Sequence, residues 1–129
     1  KKVDNFVDLT EALADWSRGF LRADPYKLVA LICRYPKQAM ELKEEMENYL
    51  PGEVRLGHRD QFSFEPGVLV TNIHQVKGLE FDSVALVEPD EENYPEKREE
   101  SRNMIYVGIT RTQEDLLLAT IRPYSSVLF

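Results

Sequence analysis

Four short apolar runs constrain the fold of this chain more than any other feature. They are "YKLVALIC" (26–33), "VLVTNI" (68–73), "SVALVEP" (83–89) and "LLLATI" (116–121). Each has the length of a strand, and such nearly unbroken apolar runs are typical of parallel strands that are buried on both faces. A shorter strand is predicted at "EVRLG" (53–57), and "HRDQFSFEPG" (58–67) is predicted to be a loop.

Helical segments separate these strands. Residues 3–22 carry apolar side chains at three- and four-residue steps, as an amphipathic helix does, and Asp24-Pro25 ends the segment. A second helix is predicted from Pro36, which suits a first helical turn, and a third in "SRNMIYVGITRT" (101–112). Strands that alternate with helices indicate an α/β fold whose mostly parallel sheet is covered on both faces.

Length and composition fit a single globular domain over residues 1–129. The 129 residues are 43% hydrophobic and 30% charged. No apolar run approaches the roughly 18 residues that cross a bilayer, so no membrane contact is expected. The single cysteine, Cys33, lies in an apolar run and is predicted to be a buried thiol in a reducing cytoplasm. Because the chain begins without methionine, we expect it to be a fragment of a longer polypeptide.

The net charge of −7 argues against a broad nucleic-acid surface. Phosphates attract Lys and Arg, so any contact with nucleic acid must come from a local basic patch or be shared with other parts of a longer chain. Acidic residues are concentrated in "PDEENYPEKREES" (89–101), which is predicted to be a solvated loop or a short exposed helix.

The stretch "TNIHQVKGLEF" (71–81) places chemically active side chains directly after a predicted buried strand. Ligands of open parallel sheets bind at the carboxyl ends of the strands, so these groups are expected at that edge. Gly78 permits a positive φ or a close approach to a ligand, and Lys77 offers a charge for phosphate. Glu80 can accept hydrogen bonds from sugar hydroxyls, and His74 can donate to a phosphate or stack on a base. Taken singly, each residue also fits a plain surface or turn role.

Arg111 raises the same question at the end of the predicted third helix. An arginine at the end of a buried helix loses solvation unless it meets an anion, either a carboxylate or a phosphate. Considered alone, a structural salt bridge to one of the many acids of this chain is the simpler interpretation.

Together, "IHQVKGLEFDSV" and "YVGITRT" resemble motifs V and VI of the UvrD, Rep and PcrA group of superfamily 1 helicases. The usual forms of these motifs are close to T-x-H-x-x-K-G-L-E-F and Y-V-[AG]-x-T-R-A, and the resemblance covers most of the chain from about Lys27 onward. It implies a RecA-like three-layer sandwich, namely the second (2A) motor domain of an ATP-dependent DNA helicase.

The resemblance also implies a divided ATP site. Arg111 matches the motif VI arginine that reaches the γ-phosphate across the cleft between the two motor domains, so it is the predicted catalytic residue, acting as an arginine finger. Glu80 matches a glutamate associated with the ribose. Lys77 and Gly78 match the loop that links the nucleotide to the DNA track.

A second set of residues is implied to contact single-stranded DNA. His74, with Thr71 and Asn72 beside it, matches a segment that contacts the strand, and Arg34 is a further candidate for a backbone contact. Tyr106 matches the motif VI tyrosine, for which core packing and a functional role both remain open.

Some positions depart from the family pattern. Asn72 stands where a threonine is usual, two residues before the histidine. The Arg-Arg pair often found before the motif VI tyrosine is reduced to Arg102 and Asn103, and Thr112 replaces the common alanine. These changes bear on DNA affinity and leave the match of Arg111 intact.

The parts that hold a nucleoside triphosphate are missing from this sequence. It contains no G-x-x-x-x-G-K-[ST] loop and no Walker B strand that ends in paired acids. ATP and Mg²⁺ are therefore expected to bind mainly to an N-terminal RecA-like domain outside this chain, no metal site is expected within it, and the isolated fragment is predicted to be inactive. The stretch between Arg34 and Val68 is too short for the large 2B insertion of some members.

Two functions remain open at this stage. In the first, the chain is part of a helicase or translocase that moves on single-stranded DNA, with the 3′ to 5′ polarity that the resemblance suggests. In the second, the same motor remodels a protein complex such as bacterial RNA polymerase. The acidic segment from Glu88 to Glu100 would suit the second function as a surface that faces a protein.

Overall fold

The computed structural model describes residues 1–57 and 63–128 and contains a five-stranded parallel sheet. Its strands are β1 (Leu28–Cys33), β2 (Val54–Leu56), β3 (Gly67–Asn72), β4 (Phe81–Val87) and β5 (Thr112–Ala119). Their order across the sheet is β2-β3-β1-β4-β5, and every neighbouring pair is parallel. All five predicted strands are therefore confirmed. Of the loop predicted at 58–67, residues 58–62 lie outside the described residues, 63–66 are neither helix nor strand, and Gly67 already belongs to β3.

β5 begins earlier than its apolar run indicates. The run starts at Leu116, whereas the strand starts at Thr112 and includes the polar residues 113–115. β5 is an edge strand of this sheet, and its first half is exposed. Polar side chains are compatible with a strand there, because one edge is unpaired and the core layers cover the two faces only from Leu117 onward.

Three helices cover the sheet: α1 (Phe6–Ala23), α2 (Pro36–Met46) and α3 (Glu99–Ile109). The Asn5 side chain accepts a hydrogen bond from the Asp8 backbone N–H at 2.8 Å, which satisfies one of the free donors at the start of α1. α3 ends at Ile109, three residues before the predicted end, because the main chain then turns to enter β5.

The core consists of one apolar layer on each face of the sheet. α1 and α2 contribute Leu9, Leu13, Ala14, Ala39, Leu42 and Met46 to the first layer, against Val29, Leu31, Val68, Val70 and Ala85 of the strands. α3 contributes Ile105 to the second layer, against Ala30, Ile32, Leu69, Val84 and Leu86. Neighbouring residues of a strand thus point into different layers. The predicted three-layer α/β arrangement is confirmed, and Cys33 is buried as predicted.

The parallel direction of the strands fixes the path of the loop that follows β3. β3 and β4 both run parallel to β1, so residues 73–80 must run from the carboxyl edge of the sheet, where strands end, back to the amino edge, where strands begin. A one-turn 3-10 helix, Ile73–Gln75, starts this return, and Ile73, Val76 and Leu79 pack in the layer beneath α3. The loop and α3 therefore lie on the same face and both connect the two edges. No helix within 1–57 and 63–128 has the length and apolarity to cross a membrane.

Candidate nucleotide and nucleic-acid site

The predicted site residues are divided between the carboxyl edge of the sheet, where the parallel strands end, and the amino edge, where they begin. Arg34 follows β1 and His74 follows β3, so both lie at the carboxyl edge. Glu80 directly precedes β4 and Arg111 directly precedes β5, so both lie at the amino edge. The prediction that the whole stretch 71–81 faces the carboxyl edge is therefore wrong for Glu80, because the chain has already crossed back to start a parallel strand.

Arg34 and His74 are in direct contact at the carboxyl edge. The Arg34 Nη1 lies 3.0 Å from His74 Nε2. Because a guanidinium can only donate, this hydrogen bond requires Nε2 to be the acceptor. The His74 side chain is exposed, whereas Arg34 is only 7% exposed. Arg34 is thus a buried partner of an exposed histidine.

Arg34 is positioned by the acidic segment. Its Nε donates to the Asn93 carbonyl at 3.2 Å, and its guanidinium lies 4.3 Å from the centre of the Tyr35 ring. The Asn93 side chain accepts from Gln38 Nε2 at 2.8 Å and donates to the Glu88 carbonyl at 3.2 Å. Asn93 therefore joins β1, α2 and the segment after β4. No sequence motif marks this role, because it depends on contacts between residues that are far apart in the chain.

The segment from Pro89 to Ser101 is a loop up to Arg98, as the sequence predicts, but it is not solvated throughout, because Asp90, Asn93 and Tyr94 are buried. Tyr94 is completely buried and belongs to the core layer beneath α3. Asp90 is also completely buried, and its Oδ1 accepts from the Asn93 N–H at 2.9 Å. Burial raises the pKa of Asp90, although Asn93 and the nearby Arg122 act in the opposite direction. The segment is thus anchored by an aromatic ring and a carboxylate, and its other acids remain on the surface.

The resemblance implies that Thr71 and Asn72 contact DNA, but both side chains are buried in this structure. Thr71 is 0% exposed, and its hydroxyl donates to the Gly57 carbonyl at 2.9 Å. Asn72 is 2% exposed, and its Oδ1 accepts from the His74 N–H at 3.0 Å. Both side chains form hydrogen bonds inside the protein, so their positions do not fit the predicted contact with DNA. Asn72 instead caps the 3-10 helix that carries His74.

Lys77 and Gly78 form a turn on the return path of the loop. The Leu79 N–H donates to the Val76 carbonyl at 3.0 Å, and Gly78 has a φ of +81° at the third position of this turn. Such a φ favours glycine, which explains the residue type. The exposed Lys77 and His74 line an open groove of about 210 Å³ against α3, whose floor includes Ile73, Met104 and Val107. The two predicted ligand-binding side chains therefore share one surface.

Arg111 lies at the amino edge and has no acidic partner among the described residues. Its Nη2 donates to Thr110 Oγ1 at 3.2 Å, and its Nε is buried without any hydrogen-bond partner. Among residues 1–57 and 63–128, Arg111 forms no ion pair. The simpler interpretation, a structural salt bridge, is thus not found in the described part of the chain. A partly buried guanidinium of this kind can bind an anion from outside.

Glu80 and Arg111 are far apart in the chain, but their segments are hydrogen-bonded to each other at the amino edge. The Phe81 N–H donates to the Arg111 carbonyl at 2.8 Å, so the residues before β4 and β5 are linked. The exposed Glu80 carboxylate accepts from Gln113 Nε2 at 2.7 Å. Gln113 was not singled out by the sequence, and its polar position just after Arg111 is the only signal that could have indicated it.

Tyr106 is a surface residue of α3. It is 68% exposed, so the core-packing role that the sequence left open is wrong. Arg102, Asn103 and Thr110 are exposed on the same helix at three- and four-residue steps from it. No group of His, Cys, Asp and Glu side chains with the arrangement of a metal site occurs among the described residues.

Comparisons with known proteins agree with this geometry. The family model of the UvrD-like helicase C-terminal domain matches residues 26–123. No curated protein matches the chain. The C-terminal domain of a possible DNA helicase from Lactobacillus plantarum is 26% identical, with a TM-score of 0.80 over 98% of this chain and 74% of that one.

More distant solved structures share the fold alone. Domain 2 of the DEAD-box helicase Mss116p, solved with an RNA duplex, is 14% identical, with a TM-score of 0.62 over 92% of this chain and 52% of that one. The SWI2/SNF2 ATPase core of Sulfolobus solfataricus, solved with double-stranded DNA, is 14% identical, with a TM-score of 0.61 over 88% of this chain and 25% of that one. These neighbours confirm the predicted RecA-like fold.

Proposed function

The chain belongs to the UvrD-like helicase C-terminal domain family, and we propose that it is the second motor domain of an ATP-dependent DNA helicase or translocase of UvrD type. In this proposal it supplies an arginine finger and part of the track for single-stranded DNA. ATP and Mg²⁺ bind mainly to an N-terminal RecA-like domain, because the present sequence has no P-loop. The amino edge of the sheet faces the nucleotide, and the carboxyl edge faces the DNA.

The Arg111 guanidinium is the observation that carries this proposal. It is partly buried, it has an unpaired Nε, and it forms no ion pair among the described residues. Phosphoryl transfer spreads negative charge over the oxygens of the γ-phosphate, and an arginine from a second domain stabilises that charge. Because Arg111 forms no salt bridge with a described residue, no such bond has to break before its guanidinium binds the γ-phosphate.

Glu80 suits a role beside the same nucleotide. Its carboxylate is exposed, and the backbone of the next residue, Phe81, is hydrogen-bonded to that of Arg111, so both groups lie at the same edge. A carboxylate accepts hydrogen bonds only, which fits the hydroxyls of a ribose. The Gln113 amide holds this carboxylate at 2.7 Å in the absence of a sugar.

The proposed contact with DNA involves fewer residues than the sequence suggests. His74 and Lys77 are exposed and share a groove, and Arg34 supports His74 from beneath. An imidazole can donate to a phosphate or stack on a base, and an ammonium can neutralise a phosphate. Thr71 and Asn72 support this surface from inside and are not part of it.

The loop from Ile73 to Glu80 provides a physical connection between the two edges. Its first residues carry His74, its middle carries Lys77, and its last residue is Glu80. Closure of two domains around ATP would therefore act on the same short segment that contacts DNA. Domain closure that is coupled to a second site is a known mode of switching.

A motor that remodels a protein complex such as RNA polymerase is the alternative. It depends on the acidic segment as a surface that faces a protein. Asp90 and Tyr94 anchor that segment inside the domain, and the Glu91 carboxylate accepts from the Glu96 and Ser126 N–H groups at 2.7 and 3.2 Å. Some of the acidic residues of this segment thus stabilise the fold. We therefore favour a motor that acts on DNA over one that remodels a protein complex.

The test is the DNA-stimulated ATPase activity of the full-length protein that carries this domain. We expect Arg111→Ala to lower turnover by about 10³-fold, as loss of an arginine finger does elsewhere. We expect His74→Ala to remove the stimulation by DNA while basal hydrolysis remains. Arg22→Ala serves as the control, because this exposed arginine ends α1 on the opposite face of the sheet.

Three results would change the proposal. Unchanged hydrolysis in Arg111→Ala would contradict the finger. Hydrolysis that needs Arg111 but ignores DNA in the wild-type protein would favour the protein-remodelling alternative. Equal losses in Arg111→Ala and Arg22→Ala would show that the assay reports general damage to the domain.

A further inference from the structure

Thr110 lies between α3 and the arginine that the proposed function depends on. It is the C-cap residue of α3, and its side chain is exposed. Its Oγ1 donates to two carbonyl oxygens of the last helical turn, that of Tyr106 at 2.8 Å and that of Val107 at 3.1 Å. The same oxygen accepts from Arg111 Nη2 at 3.2 Å. One hydroxyl thus joins the last turn of the helix to the guanidinium.

The chemistry of a hydroxyl fits this double role. A threonine hydroxyl has one proton to donate and two lone pairs to accept with. Once the proton is directed at the helix carbonyls, the lone pairs point away from the helix axis, where the Arg111 Nη2 lies. The β-branched side chain has few rotamers, so the position of this oxygen is well defined.

No second hydrogen bond among the described residues orients the end of the Arg111 side chain. The bond to Thr110 is the only side-chain hydrogen bond of its guanidinium there, and Nε has no partner. The backbone of Arg111 is tied to Phe81, but an arginine side chain has several rotatable bonds beyond its backbone. Without the Thr110 hydroxyl, the guanidinium would have no hydrogen bond to a described residue to orient it, and only the packing around its buried Nε would restrain it.

We infer that Thr110 is a positioning residue that presets the Arg111 guanidinium for the γ-phosphate of ATP. This inference rests on the proposed function of Arg111 and adds a residue to it. Groups that are held in place before the reaction stabilise the transition state at less cost than groups that must be ordered during it. Thr110 contributes through Arg111 and does not touch the nucleotide itself.

The experiment is a set of variants in the full-length protein, assayed for ATP hydrolysis with saturating single-stranded DNA. Thr110→Val keeps the branched shape and removes the hydroxyl, whereas Thr110→Ser keeps the hydroxyl. We expect Thr110→Val to lower kcat by about tenfold to a hundredfold, since small displacements of a catalytic group cost that much, with a smaller change in the KM for ATP. We expect Thr110→Ser to retain most of the wild-type kcat.

Thr10→Val is the matched control. Thr10 makes the same type of bond back to its own helix, to the Phe6 carbonyl at 2.9 Å, but it holds no arginine. It lies in α1 on the opposite face of the sheet, so its loss should leave kcat unchanged. A wild-type kcat in Thr110→Val, or an equal loss in Thr110→Ser and Thr110→Val, would overturn the inference.

A double-mutant cycle separates this inference from the proposed function. If Thr110 acts through Arg111, then Thr110→Val should cost nothing further in an Arg111→Ala background. An equal cost in both backgrounds would show that Thr110 acts by another route and would overturn the inference while Arg111 remains the finger. Wild-type hydrolysis in Arg111→Ala itself would overturn both.

Discussion

Asp90 and Glu91 are neighbouring carboxylates that folding affects in opposite ways. Asp90 is completely buried, and burial raises its pKa above the usual aspartate value. Glu91 is exposed, and hydrogen bonds from the Glu96 and Ser126 N–H groups lower its pKa. A raised carboxyl pKa in the folded state favours folding at low pH, whereas a lowered one favours folding at higher pH. The two residues therefore contribute opposite pH dependences to stability.

This contrast gives a prediction for Asp90→Asn and Glu91→Gln. The contribution of Asp90 is present below its unfolded pKa and is lost as pH rises through its folded pKa. Asp90→Asn should therefore gain stability relative to wild type as pH rises from about 3 to 7. The contribution of Glu91 is present above its unfolded pKa and is lost as pH falls through its folded pKa, so Glu91→Gln should lose stability relative to wild type over the same rise.

Urea unfolding of the chain at a series of pH values measures both differences. The two variants act as controls for each other, because each exchanges one carboxylate for an amide in the same turn. Differences in the free energy of unfolding that change with pH in the same direction for both variants would contradict the opposite pKa shifts.

At the scale of elements, α3 approaches the sheet through Gly108. A Cβ at this position would lie 3.0 Å from Leu86 Cδ1 and 3.1 Å from Ile73 Cδ1, and both of these side chains are buried in the core. Gly19, within α1, has no atom within 4 Å of the corresponding point. The helix therefore packs closely against the sheet at Gly108 and is open at Gly19.

Gly108→Ala and Gly19→Ala should therefore change stability in opposite directions. Alanine in an open helix position stabilises by about 0.5–1 kcal/mol relative to glycine, which is the expected gain for Gly19→Ala. The same gain at Gly108 should be exceeded by the strain of overpacking, which is typically about 1–3 kcal/mol. Thermal or urea unfolding of both variants tests this prediction. A stabilised Gly108→Ala would mean that α3 can move away from the sheet without loss.

The elements were predictable from the sequence because each has a local cause. The apolar runs of β1, β3 and β4 are buried on both faces, and Pro36 begins α2 as its type indicates. The acidic segment was not predictable in the same way. Tyr94 stands there among charged residues, and only the fold shows that its ring completes the layer under α3.

The site was predictable in its residues and not in its arrangement. Motif resemblance selected Glu80, His74 and Arg111, which are all accessible, but it also selected Thr71, which is buried. The crossing back between His74 and Glu80 follows from the parallel direction of β3 and β4, which the sequence does predict. Residue type and spacing do not show the strand order, in which β1 separates β3 from β4, because this order is set by long-range pairing.

At the scale of the whole molecule, the cations are divided between two kinds of environment. Lys43 is paired with Glu47 at 3.2 Å, and Lys27 with Glu114 at 2.6 Å. Lys77 and Arg102 lie on the α3 face, and neither forms an ion pair with any described residue. A chain with a net charge of −7 can therefore still offer a local surface to phosphates, because its unpaired cations are available there.

This division predicts different salt dependences for two lysine variants of the full-length protein. Each phosphate contact to a single strand adds about −0.7 to the slope of log binding constant against log salt concentration, because counterions are released. Lys77→Ala should make this slope shallower by about 0.7, measured by fluorescence anisotropy with a labelled oligonucleotide. Lys43→Ala removes the same charge from α2 on the opposite face, where Glu47 already neutralises it, and should leave the slope unchanged. Equal changes in the two variants would mean that net charge, and not the surface formed by His74 and Lys77, governs the contact with DNA.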